Sequence, residues 1–114
     1  MMPNLASLAL VLALMGASED PRLVTAAKSG DAETLNSLLD QGADVNVQAG
    51  DGSTALLWAS YRDDLESVAV LIRAGADVNL ANDLGATPIW AAARNGSAQM
   101  AERLLAAGAD PDKP

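Results

Sequence analysis

GSTALLWASYRDDLESVAVLIRAGADVN, residues 52–79, decides the fold, because the chain copies it on both sides. One period further on stands GATPIWAAARNGSAQMAERLLAAGADPD, residues 85–112, and one period back stands EDPRLVTAAKSGDAETLNSLLDQGADVN, residues 19–46. Gly42, Gly75 and Gly108 keep this spacing, as do Asp44, Asp77 and Asp110, with no insertion between them. Self-similarity at one fixed period of about 33 residues is the signature of a repeat architecture, and it outranks local signals.

The shared letters, G-x-T-[AP]-[LI]-x-x-A-[AS] followed by L-[LI]-x-x-G-A-D, resemble the ankyrin repeat, and the resemblance covers everything after about residue 19. It implies an all-α solenoid of three helix–turn–helix units with projecting hairpin-like loops, the repeats spanning about 19–49, 50–82 and 83–114. No such unit buries its own apolar stripe, so stacking must do it. Ser37 and Arg103 replace Val70 in the outer repeats, as terminal units require, although Leu104 and Leu105 keep an internal pattern. A fragment of a longer ankyrin array is the alternative.

Inside each unit the residues give the same programme. Asp20-Pro21, Thr54 and Thr87-Pro88 read as starts of the first helices, and Asp31, Asp64 and Ser97 as N-caps of the second. Leu23, Ala26 and Ala27 are expected to face inward in repeat 1, Leu56, Ala59 and Ser60 in repeat 2, and Ile89, Ala92 and Ala93 in repeat 3. The second helices carry stripes of Leu35, Leu38 and Leu39, then Leu65, Val68, Leu71 and Ile72, then Ala101, Leu104 and Leu105. Asp63 stands where the other units have Gly30 and Gly96, which predicts a left-handed backbone on a residue with a side chain.

Composition narrows the function. Histidine and cysteine are absent, so no disulfide, thiolate nucleophile, His–Cys zinc site or imidazole base can be built. A net charge of −8 argues against a nucleic-acid backbone or an anionic membrane surface as partner. Thr54 and Thr87 lack a base to activate them and read as caps. The aspartates of the three Gly-Ala-Asp turns would form a ladder about 10 Å apart, beyond the reach of one metal ion. Asp44-x-Asn46 and Asp77-x-Asn79 only faintly resemble the start of a calcium loop, since the later ligands are missing. Asn95-Gly96-Ser97 matches a glycosylation sequon. No cofactor, metal or small-molecule substrate is indicated.

Residues 5–15, LASLALVLALM, form an uncharged apolar run of eleven residues, shorter than the ~20 a spanning helix needs. With small residues at Gly16, Ala17 and Ser18, residues 1–18 read as a secretory signal cleaved after Ala17 or Ser18, despite an n-region without Lys or Arg. Retention of residues 5–15 as a membrane tether, or as an apolar cap on repeat 1, is the alternative. Residues 19–114 are then the mature domain. Export, most simply to a bacterial periplasm, is the expectation.

In the ankyrin family the loop tips and the outer face of the first helices form a concave surface that binds other proteins. By alignment this surface comprises Lys28 and Ser29 in repeat 1, then Gln48, Gly50, Asp51, Ser53, Tyr61 and Arg62 in repeat 2. Repeat 3 supplies Ala81, Asp83, Leu84, Ala86, Arg94 and Asn95. Trp58 lies one position after the family's TPLH histidine, whose place is taken here by Leu57 and Trp90, so the usual loop-bracing network is in doubt. Trp58, Tyr61 and Arg62 are of the types that dominate interfaces. Packing between repeats is the competing expectation for Trp58 and, more strongly, for Trp90. The function so implied is non-catalytic binding of an unidentified partner protein.

Overall fold

A computed structural model of the chain describes residues 20–112. The apolar run of residues 5–15 and the expected cleavage site lie outside the described residues. Within them there are six helices and no strand: α1 (Arg22–Ser29), α2 (Ala32–Asp40), α3 (Ala55–Tyr61), α4 (Leu65–Arg73), α5 (Pro88–Asn95) and α6 (Ala98–Ala106). The two helices of each repeat pack together, and α1, α3 and α5 stack in one row. Small residues allow this close approach. Ala26, Ala59 and Ala92 recur once per repeat and all are buried. The second helices touch one another far less, with α2 against α4 the better packed pair. A row tight on one side and loose on the other is the geometry from which a solenoid acquires its curvature.

The caps explain why helices start where they do. Thr54 Oγ1 accepts the Leu57 N–H at 3.1 Å, and Thr87 Oγ1 that of Trp90 at 3.4 Å. Asp31, Asp64 and Ser97 accept the N–H of Thr34, Ser67 and Met100 at 3.1, 3.1 and 3.2 Å. The start of repeat 1 differs from the sequence expectation by one residue. Pro21, at φ −82° and ψ 10°, stands outside the helix as its cap position. Asp20 nevertheless accepts the Arg22 N–H at 3.0 Å and pairs with the Arg22 side chain at 2.6 Å.

Asp63 has φ 58°, beside 74° at Gly30 and 67° at Gly96, so its place in the register does dictate a left-handed backbone. The loops also repeat. Ala49 N–H donates to Ser53 O at 2.9 Å, and Asn82 N–H to Ala86 O at 3.0 Å, each folding a loop back on itself as a hairpin.

The core is the continuous stripe expected: Leu23, Leu35, Leu56, Val68, Leu71 and Leu104 are buried, as is Met100. Leu39, Leu65, Ile72 and Ala101 are half-buried against it. Two residues expected inside are not. Ala93 is exposed although Ala27 and Ser60, at the same position, are buried. Leu105 is 45% exposed, whereas Leu39 and Ile72 are half-buried. Both belong to repeat 3, on which no further unit stacks among the described residues.

Candidate functional site

The first helices and the loop tips of repeats 2 and 3 enclose a cleft of about 230 Å³. Its lining is Asp51, Ser53, Leu57, Trp58, Tyr61, Asn82, Ala86 and Trp90. The chain has two tryptophans, one tyrosine and no phenylalanine, so every aromatic side chain it owns is in this one place. Trp58 and Tyr61 come from α3 and meet edge to face, with ring centroids 5.8 Å apart and planes at 88°. Trp90 comes from α5 and closes the far side. It stands in register with Val24 and Leu57, both buried, but is itself 41% exposed. The expectation that Trp90 packs between repeats is therefore corrected: the indole is turned into the cleft and stays partly exposed, where Val24 and Leu57 are covered. Trp58 is half-buried against the core, and Tyr61 is 43% exposed.

Cations flank these rings. Lys28 Nζ lies 5.0 Å from the Trp58 ring centroid, and the Arg94 guanidinium carbon 5.7 Å from that of Trp90. At the loop-tip end, the Ser53 backbone N–H, 3.0 Å from the Asp51 carboxylate, and then the Ser53 hydroxyl hold the Asp51 carboxyl below the usual range. The Lys28 charge adds to this.

The alignment-derived surface residues thus fall into two groups. Asp51, Ser53, Trp58, Tyr61 and Ala86 converge on the cleft, with Lys28 and Arg94 beside it. Leu84, 93% exposed, projects from the neighbouring loop tip. Gln48, Asp83, Arg62 and Asn95 instead hold repeats together. Gln48 Nε2 donates to Gly52 O at 2.9 Å and to Ala81 O, one repeat on, at 3.5 Å. Asp83 N–H donates to Asp51 O at 2.9 Å. Gly52, at φ 82°, lets these loops touch, since a Cβ there would come within 2.9 Å of the Asp83 backbone N. These bonds brace the loops in a chain without the TPLH histidine.

Arg62 and Asn95 occupy one register position and do the same work. Arg62 donates to Lys28 O at 3.3 Å, and Asn95 to Tyr61 O at 2.6 Å and Ser60 O at 3.3 Å. Each ties a first helix to the carboxyl end of the one before. The Asn95 side-chain nitrogen that the sequon would modify is committed to these two carbonyls. Asn46 and Asn79, read from sequence as parts of faint calcium loops, are also braces. Asn46 Oδ1 accepts the Asp77 N–H at 2.7 Å and Asn79 Oδ1 that of Asp110 at 2.8 Å. Among the described residues no group of three or more His, Cys, Asp or Glu is placed to hold a metal ion.

Sequence reasoning missed Leu57, Asn82 and the cleft-lining role of Trp90. For Trp90 the signal was available: its bulk, set against Val24 and Leu57 in the same register.

A family model described as ankyrin repeats, in three copies, matches residues 23–114. The chain belongs to the ankyrin-repeat family. It is also 56% identical over 36 residues to the ankyrin repeat domain-containing protein SAT10 of Stachybotrys chartarum. That stretch is 32% of this chain and 2% of the relative, so the chain matches only a small part of a much longer protein. Ankyrin repeats are in general protein–protein interaction modules and are typically non-catalytic. In this ankyrin array the aromatic cleft lies between the first helices and loop tips of repeats 2 and 3.

Proposed function

We propose that this chain is a non-catalytic module that docks a partner protein in the aromatic cleft of repeats 2 and 3. The observation that carries this reading is the gathering of Trp58, Tyr61 and Trp90, all the aromatics of the chain, around one recess. Partly exposed tryptophan and tyrosine in a recess are the usual energetic anchors of an interface. The cross-repeat bonds of Gln48, Asp83, Arg62 and Asn95 hold the walls in place beforehand, so little side-chain and loop freedom is lost on docking. The hydroxyls of Thr54 and Thr87 are engaged in helix caps, and the chain has no imidazole or thiol to act as base or nucleophile. A net charge of −8 disfavours nucleic acid as the partner.

The module works outside the cytosol, with residues 1–18 removed on export; retention of residues 5–15 would instead make it a membrane-tethered adaptor. An intact mass of the exported protein separates these, since a soluble module begins at Ser18 or Glu19. For the docking face, a photo-reactive amino acid in place of Leu84 should cross-link the partner in the producing cells. The same group in place of Gln99, on α6, should not. Equal capture from both positions would sink the cleft as the docking face.

A further inference from the structure

The cations at the cleft say what its occupant must carry. Lys28 and Arg94 hold the same register position in repeats 1 and 3, with Tyr61 at that position between them. Each stands against an indole of the cleft. Arg62 adds a third charge, one residue beyond Tyr61. Among the described residues the one ion pair is Arg22 with Asp20, and no carboxylate there lies within pairing distance of any of the three. This is notable in a chain with 15 acidic residues against seven basic ones, since an excess of carboxylates makes pairing easy. The helix dipole favours cations in a last helical turn, which accounts for their sign but not for their seats on the two indoles.

We infer that the partner segment seated here is acidic, laying an apolar side chain among Trp58, Tyr61 and Trp90 and carboxylates on Lys28 and Arg94. This rests on the cleft being the docking face. A cationic ligand fits less well, because the indole faces it would seek already carry Lys28 and Arg94. Asp51 and Asp83 lie at the loop-tip end, with Asp51 lining the cleft within reach of the Lys28 charge, so the segment's carboxylates belong at the helix end, where Lys28, Arg62 and Arg94 stand. The register fixes the spacing. Stacked helices lie 8–10 Å apart, so two repeats separate the backbones of Lys28 and Arg94 by roughly 16–20 Å, about six residues of extended chain. Lys28 leans toward repeat 2 to reach Trp58, so the fitting segment has carboxylates at most about six positions apart with an apolar residue between them.

Both tryptophans line the cleft, so intrinsic fluorescence reports on it alone. Three blocked seven-residue peptides with a central Phe, ending at both sides in Glu, Lys or Ser, are titrated into the purified protein. The Glu peptide should bind about tenfold tighter than the Ser peptide, the combined effect of two exposed ion pairs. Lys28→Gln and Arg94→Gln should each weaken the Glu peptide by about threefold and leave the Ser peptide unchanged, with melting points checked alongside. Equal binding of all three peptides, or tightest binding of the Lys peptide, overturns the acidic assignment while leaving the cleft as a docking face. No response to any peptide up to millimolar concentration overturns it too, and the cross-link from position 84 then decides the cleft separately.

Discussion

Asn79 clamps the junction of repeats 2 and 3 through Asp110: its side-chain oxygen accepts the Asp110 N–H at 2.8 Å, while its nitrogen donates to Gly108 O at 3.2 Å. Asn46 does this one repeat earlier, with Asp77 at 2.7 Å and Gly75 at 3.5 Å. The side chain thereby replaces a ladder hydrogen bond where the loops of two repeats run side by side. Asn79→Ala removes both bonds and leaves a half-buried N–H without its partner. It should lower stability by about 1–2 kcal/mol in denaturant melts. A loss within about 0.5 kcal/mol would show that water replaces the clamp without penalty.

Ser60 offers the opposite case. Its hydroxyl is fully buried and has no hydrogen-bond partner among the described residues, and the equivalent residues are Ala27 and Ala93. Removing an unpaired buried polar group removes its desolvation penalty, so Ser60→Ala should stabilise the protein, by up to about 1 kcal/mol. A destabilisation of that size would mean the hydroxyl has a partner in solution.

Asp63, at φ 58°, carries in its left-handed backbone a steric strain that glycine escapes. Its side chain is exposed and makes no hydrogen bond among the described residues. Asp63→Gly relieves the strain but gives the unfolded chain more freedom, so the net effect should lie between neutral and a gain of about 1 kcal/mol. A clear loss in equilibrium unfolding would contradict this.

The cap of α2 should make stability acid-sensitive. The Thr34 hydroxyl, and then its backbone N–H, hold the Asp31 carboxyl below the usual aspartate range. A group whose pKa falls on folding stabilises above its unfolded pKa, and that contribution disappears as pH drops through the folded value. For Asp31 this window lies below about pH 4. Asp31→Asn keeps a capping oxygen but has no charge, so it should melt lower than the parent at neutral pH. The gap should close on acidification to about pH 2.5. A gap of constant size would mean the carboxylate charge contributes nothing.

The parts legible in the sequence are those written once per repeat. Asp31, Asp64 and Ser97 could be identified as caps, and Asp63 as left-handed, because each residue type is tied to a backbone position that every unit repeats. Burial was legible wherever two neighbouring repeats cover a position. It failed at Ala93 and Leu105, where the pattern is kept but no following unit is stacked among the described residues. The bonds of Arg62, Asn95, Asn46 and Asn79 were not legible. They run from one unit to the next, and which side chain reaches which carbonyl depends on the rise and twist between units, not on spacing along the chain. Four of the aligned surface residues, Gln48, Arg62, Asp83 and Asn95, proved to be such braces, and the cleft depends on Trp90, which turns outward.

The most direct test of the cleft as the docking face is the affinity of the cross-linked partner, once purified, for Trp90→Ala. Trp90 is largely free of the core, so its truncation separates binding from folding better than that of Trp58, which packs against buried side chains. An anchor residue costs about 2 kcal/mol or more of binding, whereas a surface change usually moves stability by no more than about 0.5 kcal/mol. Trp90→Ala should therefore weaken the complex at least tenfold with a near-unchanged melting point, while Glu66→Gln, on the exposed side of α4, leaves affinity as it was. Unchanged affinity for Trp90→Ala would contradict the account.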